Sequence, residues 1–161
     1  MADVNNSKLL NTAGILKKDA CVVLVKTEWN AEIVDELEKG CIDELTIHKI
    51  KKIVTITVPG SFEIPFAIKN YWEKSSKKKK PDAFIALGCV IRGGTPHFDY
   101  VCRAITDGIL QLNLSLSVPT IFGVLTVDND LQAKERIGGR HGHKGRESAI
   151  TALKMLSVIK K

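Results

Sequence analysis

The sequence predicts an α/β fold: a three-layer α/β/α sandwich on a four-stranded parallel sheet, of flavodoxin-like type. Short apolar runs rich in β-branched residues alternate with longer segments of helical periodicity. Such alternation implies right-handed crossovers and a parallel sheet covered on both faces. No Pro/Ser-rich linker and no internal repeat interrupts it, so residues 1–161 read as one domain. Within it, residues 1–18 are expected to form a loosely ordered N-terminal segment.

The elements follow in order. Ala20 to Lys26 is a short apolar run, a buried strand. From Asn30, apolar residues at Ile33, Val34, Leu37, Cys41, Ile42 and Leu45 keep helical spacing. Asn30 is expected to cap this helix, and Glu32 and Asp35 suit its N-terminus. Gly40 interrupts the pattern at a cost of about 1 kcal/mol, yet one helix is retained. Ile53 to Val58 is the second strand, ended by Pro59-Gly60-Ser61. Phe62 to Trp72 reads as a helix with Pro65 in its first turn, where proline is tolerated. Phe84 to Val90 is the third strand, and Phe98 to Leu114 the next helix. Pro119 precedes the fourth strand, Thr120 to Val127. Asp128 or Asn129 caps a helix expected to reach about Ile137. Gly138 to Gly145 is expected to be a loop, and a last helix runs from about Gly145 to Lys160.

Composition narrows the function. The chain is 44% hydrophobic and 26% charged, ordinary for a globular protein. It lacks an apolar run of membrane-spanning length and a signal-peptide core, so no membrane is expected and the location is cytoplasmic. Cys21, Cys41, Cys89 and Cys102 are scattered without metal spacing and read as small hydrophobes in a reducing compartment. The net charge of +6 raises nucleic-acid binding. Its densest run, Lys77 to Lys80, has no interleaved aromatics and reads as a solvated loop, so no nucleic acid is expected.

Parallel strands deliver their C-terminal loops to one sheet edge, where ligands bind in open α/β sheets. That edge gathers Trp29-Asn30, the turn from Gly60 to Glu63, Gly93-Gly94-Thr95 with His97, and the turn after Val127. The loop before His97 joins flexible backbone N–H groups to a helix start, which suits a phosphate or another anion. Imidazole as a group can donate or accept a proton near neutrality, so His97 is a candidate for proton transfer, or it is merely a capping or solvated first-turn residue. Trp29 could stack on a planar ring; taken alone, a hydrophobic staple is the better reading. Glu63 suits a helix N-terminus or could accept from ligand hydroxyls. Arg136 offers a fork that matches phosphate, although a solvated arginine is commoner. Lys144 is a second anion or ring contact or a surface charge. His141-Gly-His143 lacks partner ligands, so no metal is expected. Dinucleotide and P-loop signatures are absent.

Four segments carry a resemblance to a known family. Val58-Pro-Gly-Ser-Phe-Glu-Ile-Pro65 is the first, and the run from Leu87 through Arg92-Gly-Gly-Thr-Pro-His97 to Val101 is the second. Phe122-Gly-Val-Leu-Thr and the Gln-Ala-x-Glu-Arg segment ending at Arg136 complete the set. In this order and separation, they resemble the lumazine synthase family of riboflavin biosynthesis, over about Cys21 to Leu156. The resemblance implies condensation of 5-amino-6-(D-ribitylamino)uracil with 3,4-dihydroxy-2-butanone 4-phosphate, giving 6,7-dimethyl-8-ribityllumazine with release of phosphate and water. It implies that Trp29 stacks on the pyrimidine, that Ser61, Phe62 and Glu63 hold the ribityl chain, and that Cys89, Val90 and Ile91 run along the ring through their backbone. Gly94, Thr95 and Arg136 match the phosphate site, Phe122 a pocket wall, His97 the proton-transfer residue and Lys144 a lysine near the substrates.

The same resemblance implies no cofactor and no metal. It implies a homo-oligomer, a pentamer with sites between neighbouring subunits, Phe122 and Arg136 coming from the other chain. The short loop from Arg136 to Lys144 favours an icosahedral assembly of pentamers, and association with riboflavin synthase is a further expectation. Cys89, Pro96 and His143 depart from the commoner family residues without touching a side-chain role. An archaeal-type riboflavin synthase would not need Arg136, Gly94 or Thr95, and a non-catalytic flavin-binding protein could lose His97 and Arg136.

Overall fold

A computed structural model describes residues 7–12 and 19–159. The sheet has four parallel strands in the order β2-β1-β3-β4. These are β1 (Cys21–Thr27), β2 (Lys52–Val58), β3 (Ala83–Ile91) and β4 (Thr120–Val127). The register runs Val23↔Val54 and Val23↔Phe84 about the central β1, and Ile85↔Ile121 between β3 and β4. The flavodoxin-like α/β arrangement read from the alternation is therefore present.

Two apolar layers close the sheet, because successive strand residues face opposite sides. Val22, Leu24, Ile85 and Leu87 face α1 (Ala31–Ile47) and α5 (Lys144–Ile159), meeting Val34, Leu37, Leu45, Ala149 and Leu153. Val23, Val25, Phe84 and Ala86 face α2 (Ile64–Lys74) and α3 (His97–Ser115), meeting Ile64, Ile68, Ile105 and Ile109. Both faces of β1 and β3 are thus dry, which is why these strands read as unbroken hydrophobic runs. β2 is an edge, and its more exposed pattern shows it.

Several expectations are corrected. Asn30 stands at the start of α1, but its side chain makes no capping bond, and its backbone is left-handed at φ 58°, ψ 43°. A single helix spans Gly40, whose missing side chain has a packing reason. A Cβ there would lie 2.1 Å from the His143 ring, so only glycine admits that imidazole. The segment from Phe62 is a 3-10 turn, Ser61–Glu63, followed by α2 with Pro65 near its first position. The helix expected to reach Ile137 is only α4 (Asp130–Lys134), capped by the Asn129 side chain accepting from the Gln132 N–H at 2.9 Å.

Beyond α4 the expected loop is an antiparallel hairpin, β5 (Ile137–Gly139) with β6 (Gly142–His143). Positive φ at Gly138 and Gly142 permits this turn. Lys77–Lys79 form an exposed 3-10 turn, and Lys80 places its Nζ 3.6 Å from the Trp72 ring centroid. The expected loose segment 1–18 lies mostly outside the described residues. Among the described residues no helix is long and apolar enough to cross a membrane.

Candidate functional site

The C-terminal ends of β1, β2 and β3 open on a cavity of about 480 Å³. Trp29 and Asn30 from the β1–α1 turn, Gly60 to Glu63 from the β2–α2 turn, Cys89, Val90 and Ile91 from β3, and His97 with Val101 from α3 line it. Backbone bonds hold the first two turns together: the Glu28 N–H donates to the Val58 carbonyl at 2.9 Å, and the Trp29 N–H to the Pro59 carbonyl at 3.2 Å. The Thr27 hydroxyl donates to the Trp29 carbonyl at 3.1 Å. Trp29 is therefore fixed through its backbone while its indole is 73% exposed. That indole offers a large flat face at modest cost, since few rotors must be frozen.

The polar groups are distributed about this face. Ser61 is buried at the cavity floor, whereas Phe62 and Glu63 are exposed. The Glu63 carboxylate curls back toward the indole: a Cβ built on Gly60 would lie 3.0 Å from Glu63 Oε2 and 3.6 Å from Trp29 Cδ1. An acceptor thus stands beside an aromatic platform. His97 is the first residue of α3, is exposed and lines the cavity. Cys89 lines the cavity, and burial pushes its thiol up to about 12 with a smaller push from Asp130, which leaves it a neutral hydrophobe at neutral pH.

Gly94 and Thr95 lie in the exposed β3–α3 loop, where a Cβ on Gly93 or Gly94 would meet nothing within 4 Å. Arg92 steadies that loop. Its Nε donates to Asp128 at 3.0 Å, its Nη1 to Asp99 at 3.3 Å, and its guanidinium carbon sits 4.1 Å from the Phe98 ring centroid.

The remaining sequence candidates are elsewhere on the same chain. Phe122 and Lys144 line a second cavity of about 650 Å³ along β4 and α5. Lys144 Nζ donates to Glu147 at 2.6 Å, both largely buried. Arg136 follows α4; its Nη1 donates to the Gln132 carbonyl at 2.6 Å and its Nε has no partner among the described residues. Trp29 and His97 thus line one cavity and Phe122 and Lys144 another, while Arg136 lines neither of these two.

A third cavity of about 730 Å³ lies beside β2 and α2, rimmed by Lys52, Lys74 and Lys79. It is larger but holds no imidazole, and the site is assigned to the smaller cavity on the chemistry of its lining. His141 and His143 do not converge. His141 Nε2 faces Glu135 Oε2 at 3.7 Å, and His143 packs against Gly40.

Sequence comparison decides the family. The family model described as 6,7-dimethyl-8-ribityllumazine synthase matches residues 19–160. A 6,7-dimethyl-8-ribityllumazine synthase of Porphyromonas gingivalis is 49% identical over 143 residues, covering 88% of this chain and 86% of the relative. Those of Parabacteroides distasonis and Bacteroides fragilis are 48% and 45% identical, covering 83% and 84% of this chain and 82% and 94% of theirs. The chain belongs to the 6,7-dimethyl-8-ribityllumazine synthase family.

Membership in the lumazine synthase family makes the chain an enzyme, a transferase of riboflavin biosynthesis. The stretch from Val58 to Pro65 that resembled this family is the β2–α2 turn of the cavity, and the stretch from Leu87 to Val101 supplies its β3 edge and His97. Asn30 and Gly60, expected at this edge without a role of their own, line the cavity as well, as does Val101, which the sequence did not point to.

Proposed function

We propose that this chain condenses 5-amino-6-(D-ribitylamino)uracil with 3,4-dihydroxy-2-butanone 4-phosphate to 6,7-dimethyl-8-ribityllumazine, with release of phosphate and water. The observation that carries the proposal is the gathering of Trp29, Ser61, Glu63, Cys89, Ile91 and His97 around one cavity at the strand ends. The indole stacks on the pyrimidine, and the β3 backbone runs along its edge. Ser61, Phe62 and Glu63 hold the ribityl hydroxyls. Gly94 and Thr95, with Arg136, receive the phosphate.

The chemistry asks for little more than placement and proton movement. Imine formation, phosphate loss and ring closure each shift protons, and His97 serves as donor and acceptor. General acid–base help of this kind is typically about 10²–10⁴-fold. Holding two reactants in register lowers a barrier by about 7–11 kcal/mol in well-oriented cases. These steps call for no metal and no organic cofactor.

The complete site lies between two copies of the chain. One copy gives the Trp29 and His97 cavity; its neighbour gives Phe122, Arg136 and Lys144. The separation of the Trp29 and His97 cavity from the one lined by Phe122 and Lys144 supports this arrangement. Exposed Phe66, Tyr100 and Leu114 on α2 and α3 supply apolar surface for association. The assembly is a pentamer, built into an icosahedral shell because the Arg136 to Lys144 connection is one short hairpin, and it associates with riboflavin synthase in the cytoplasm. Residues 1–161 act as one domain. Mixing the purified protein with both substrates and following lumazine fluorescence tests the activity: absence of product overturns it. Light scattering tests the assembly, and a monomer overturns the shared site.

A further inference from the structure

We propose that Asn30 is a positioning residue for the pyrimidine, acting through the end of β3. β1 accompanies β3 only as far as the pairs Val25↔Ala86 and Lys26↔Leu87, and it ends at Thr27. Past that point the β1 side of β3 has no strand to bond with. A carbonyl left there without a partner would be costly, because backbone polar groups out of water are almost always paired. The Asn30 side chain supplies the partner: its Nδ2 donates to the Cys89 carbonyl at 2.8 Å, across 59 residues of sequence.

The residue gives up two things to make this bond. It adopts a left-handed backbone at φ 58°, a conformation that disfavours non-glycine residues and that asparagine tolerates best. It also leaves α1 without a side-chain cap, although asparagine is among the best capping residues. A strained backbone and a forgone cap at the rim of a cavity point to a local requirement other than helix stability.

The geometry of a parallel strand says what that requirement is. Backbone polar groups alternate in direction along a strand, so the N–H and C=O of Ile91 lie on the same side as the Cys89 carbonyl. Arg92, of opposite parity, donates its N–H to Val127 beside β4, as this alternation demands. With Cys89 tied by Asn30, the next polar pair on the cavity side belongs to Ile91, which lines the same cavity as Trp29. Asn30 thereby sets the height of the β3 edge relative to the stacking face, since the same turn carries both residues. This rests on the reading that the pyrimidine lies along β3.

Steady-state kinetics of Asn30→Gly and Asn30→Asp, with each substrate varied in turn, test it. Glycine keeps the left-handed backbone and removes the amide. Aspartate keeps the size and sets a carboxylate oxygen against the carbonyl. In Asn30→Gly, KM for the ribitylaminouracil rises about threefold to tenfold, the worth of one net hydrogen bond. KM for the ketone phosphate and kcat stay at wild-type values. Asn30→Asp raises the uracil KM further, with the same split. A wild-type uracil KM in Asn30→Gly overturns the proposal, as do equal rises for both substrates or a lower melting temperature with both KM values unchanged. If the wild-type protein makes no lumazine, the functional reading itself fails; an active wild type beside an unaffected Asn30→Gly removes the positioning role alone.

Discussion

Mixing two impaired variants, assayed at limiting ketone phosphate, discriminates a shared site from one built within a single chain. Among the described residues His97 lines its cavity without Arg136, so in a site shared between chains each substitution removes one chain's contribution and spares the other's. In a closed ring with head-to-tail contacts, every site takes its imidazole from one chain and its guanidinium from the next. His97→Ala chains still carry Arg136, and Arg136→Ala chains still carry His97. When the two are co-refolded in equal amounts, a site is intact if its first chain has His97 and its second has Arg136. Each condition holds for half the chains, so about one quarter of the sites are complete in random heteromers. The mixture should therefore turn over at about one quarter of the wild-type rate, well above the mean of its parents. Lumazine fluorescence gives the rate, and native mass spectrometry with one tagged variant verifies mixing. Verified heteromers no more active than the parental mean would refute the reasoning.

Three further outcomes are expected. His97→Gln slows turnover by about 10²–10⁴-fold yet leaves measurable product, because proximity survives the loss of the proton carrier; a folded, substrate-binding variant with no turnover at all would contradict this. Arg136→Ala raises KM for the ketone phosphate far more than for the uracil, and equal rises would remove the guanidinium from the phosphate site. Burial and, less, Arg146 hold His143 below the ordinary imidazole value of 6.5, with Glu36 and Glu147 opposing. Its contribution is therefore complete above that value and declines as pH falls, because the unfolded chain takes up a proton that the folded chain resists. Urea midpoints at neutral pH and at about pH 5 should show a smaller acid loss in His143→Asn than in the wild type; identical losses would exclude His143.

What the sequence showed, and what it hid, follows from the range of the forces involved. β1 and β3 were legible to within a residue or two, since strands dry on both faces leave uninterrupted apolar runs, and the edge strand β4 was legible from the β-prone run that follows Pro119. The hairpin of β5 and β6 was not legible. Strands of three and two residues hold no periodicity, and their pairing depends on glycine φ values that no neighbour announces. Helix α1 could be drawn through Gly40, but the reason for the glycine lay more than a hundred residues away at His143. Asn30 was misjudged for a similar reason. Its local preference is to cap, and an unpaired carbonyl at Cys89 outweighed that preference. The His97 cavity was legible because parallel topology sends every strand end to one edge. The phosphate role expected of Arg136 rests on family resemblance alone, since within one chain Arg136 does not line the His97 cavity.

The two tryptophans occupy opposite circumstances. Trp29 stands exposed in the lining of the proposed substrate cavity, and Trp72 lies on α2 under the ammonium of Lys80. Indole emission from the native protein is consequently a blend of a ligand-sensitive source and a bystander. Trp72→Phe would strip away the bystander and turn the enzyme into its own optical gauge. Occupancy could then be titrated without turnover, labels or dyes.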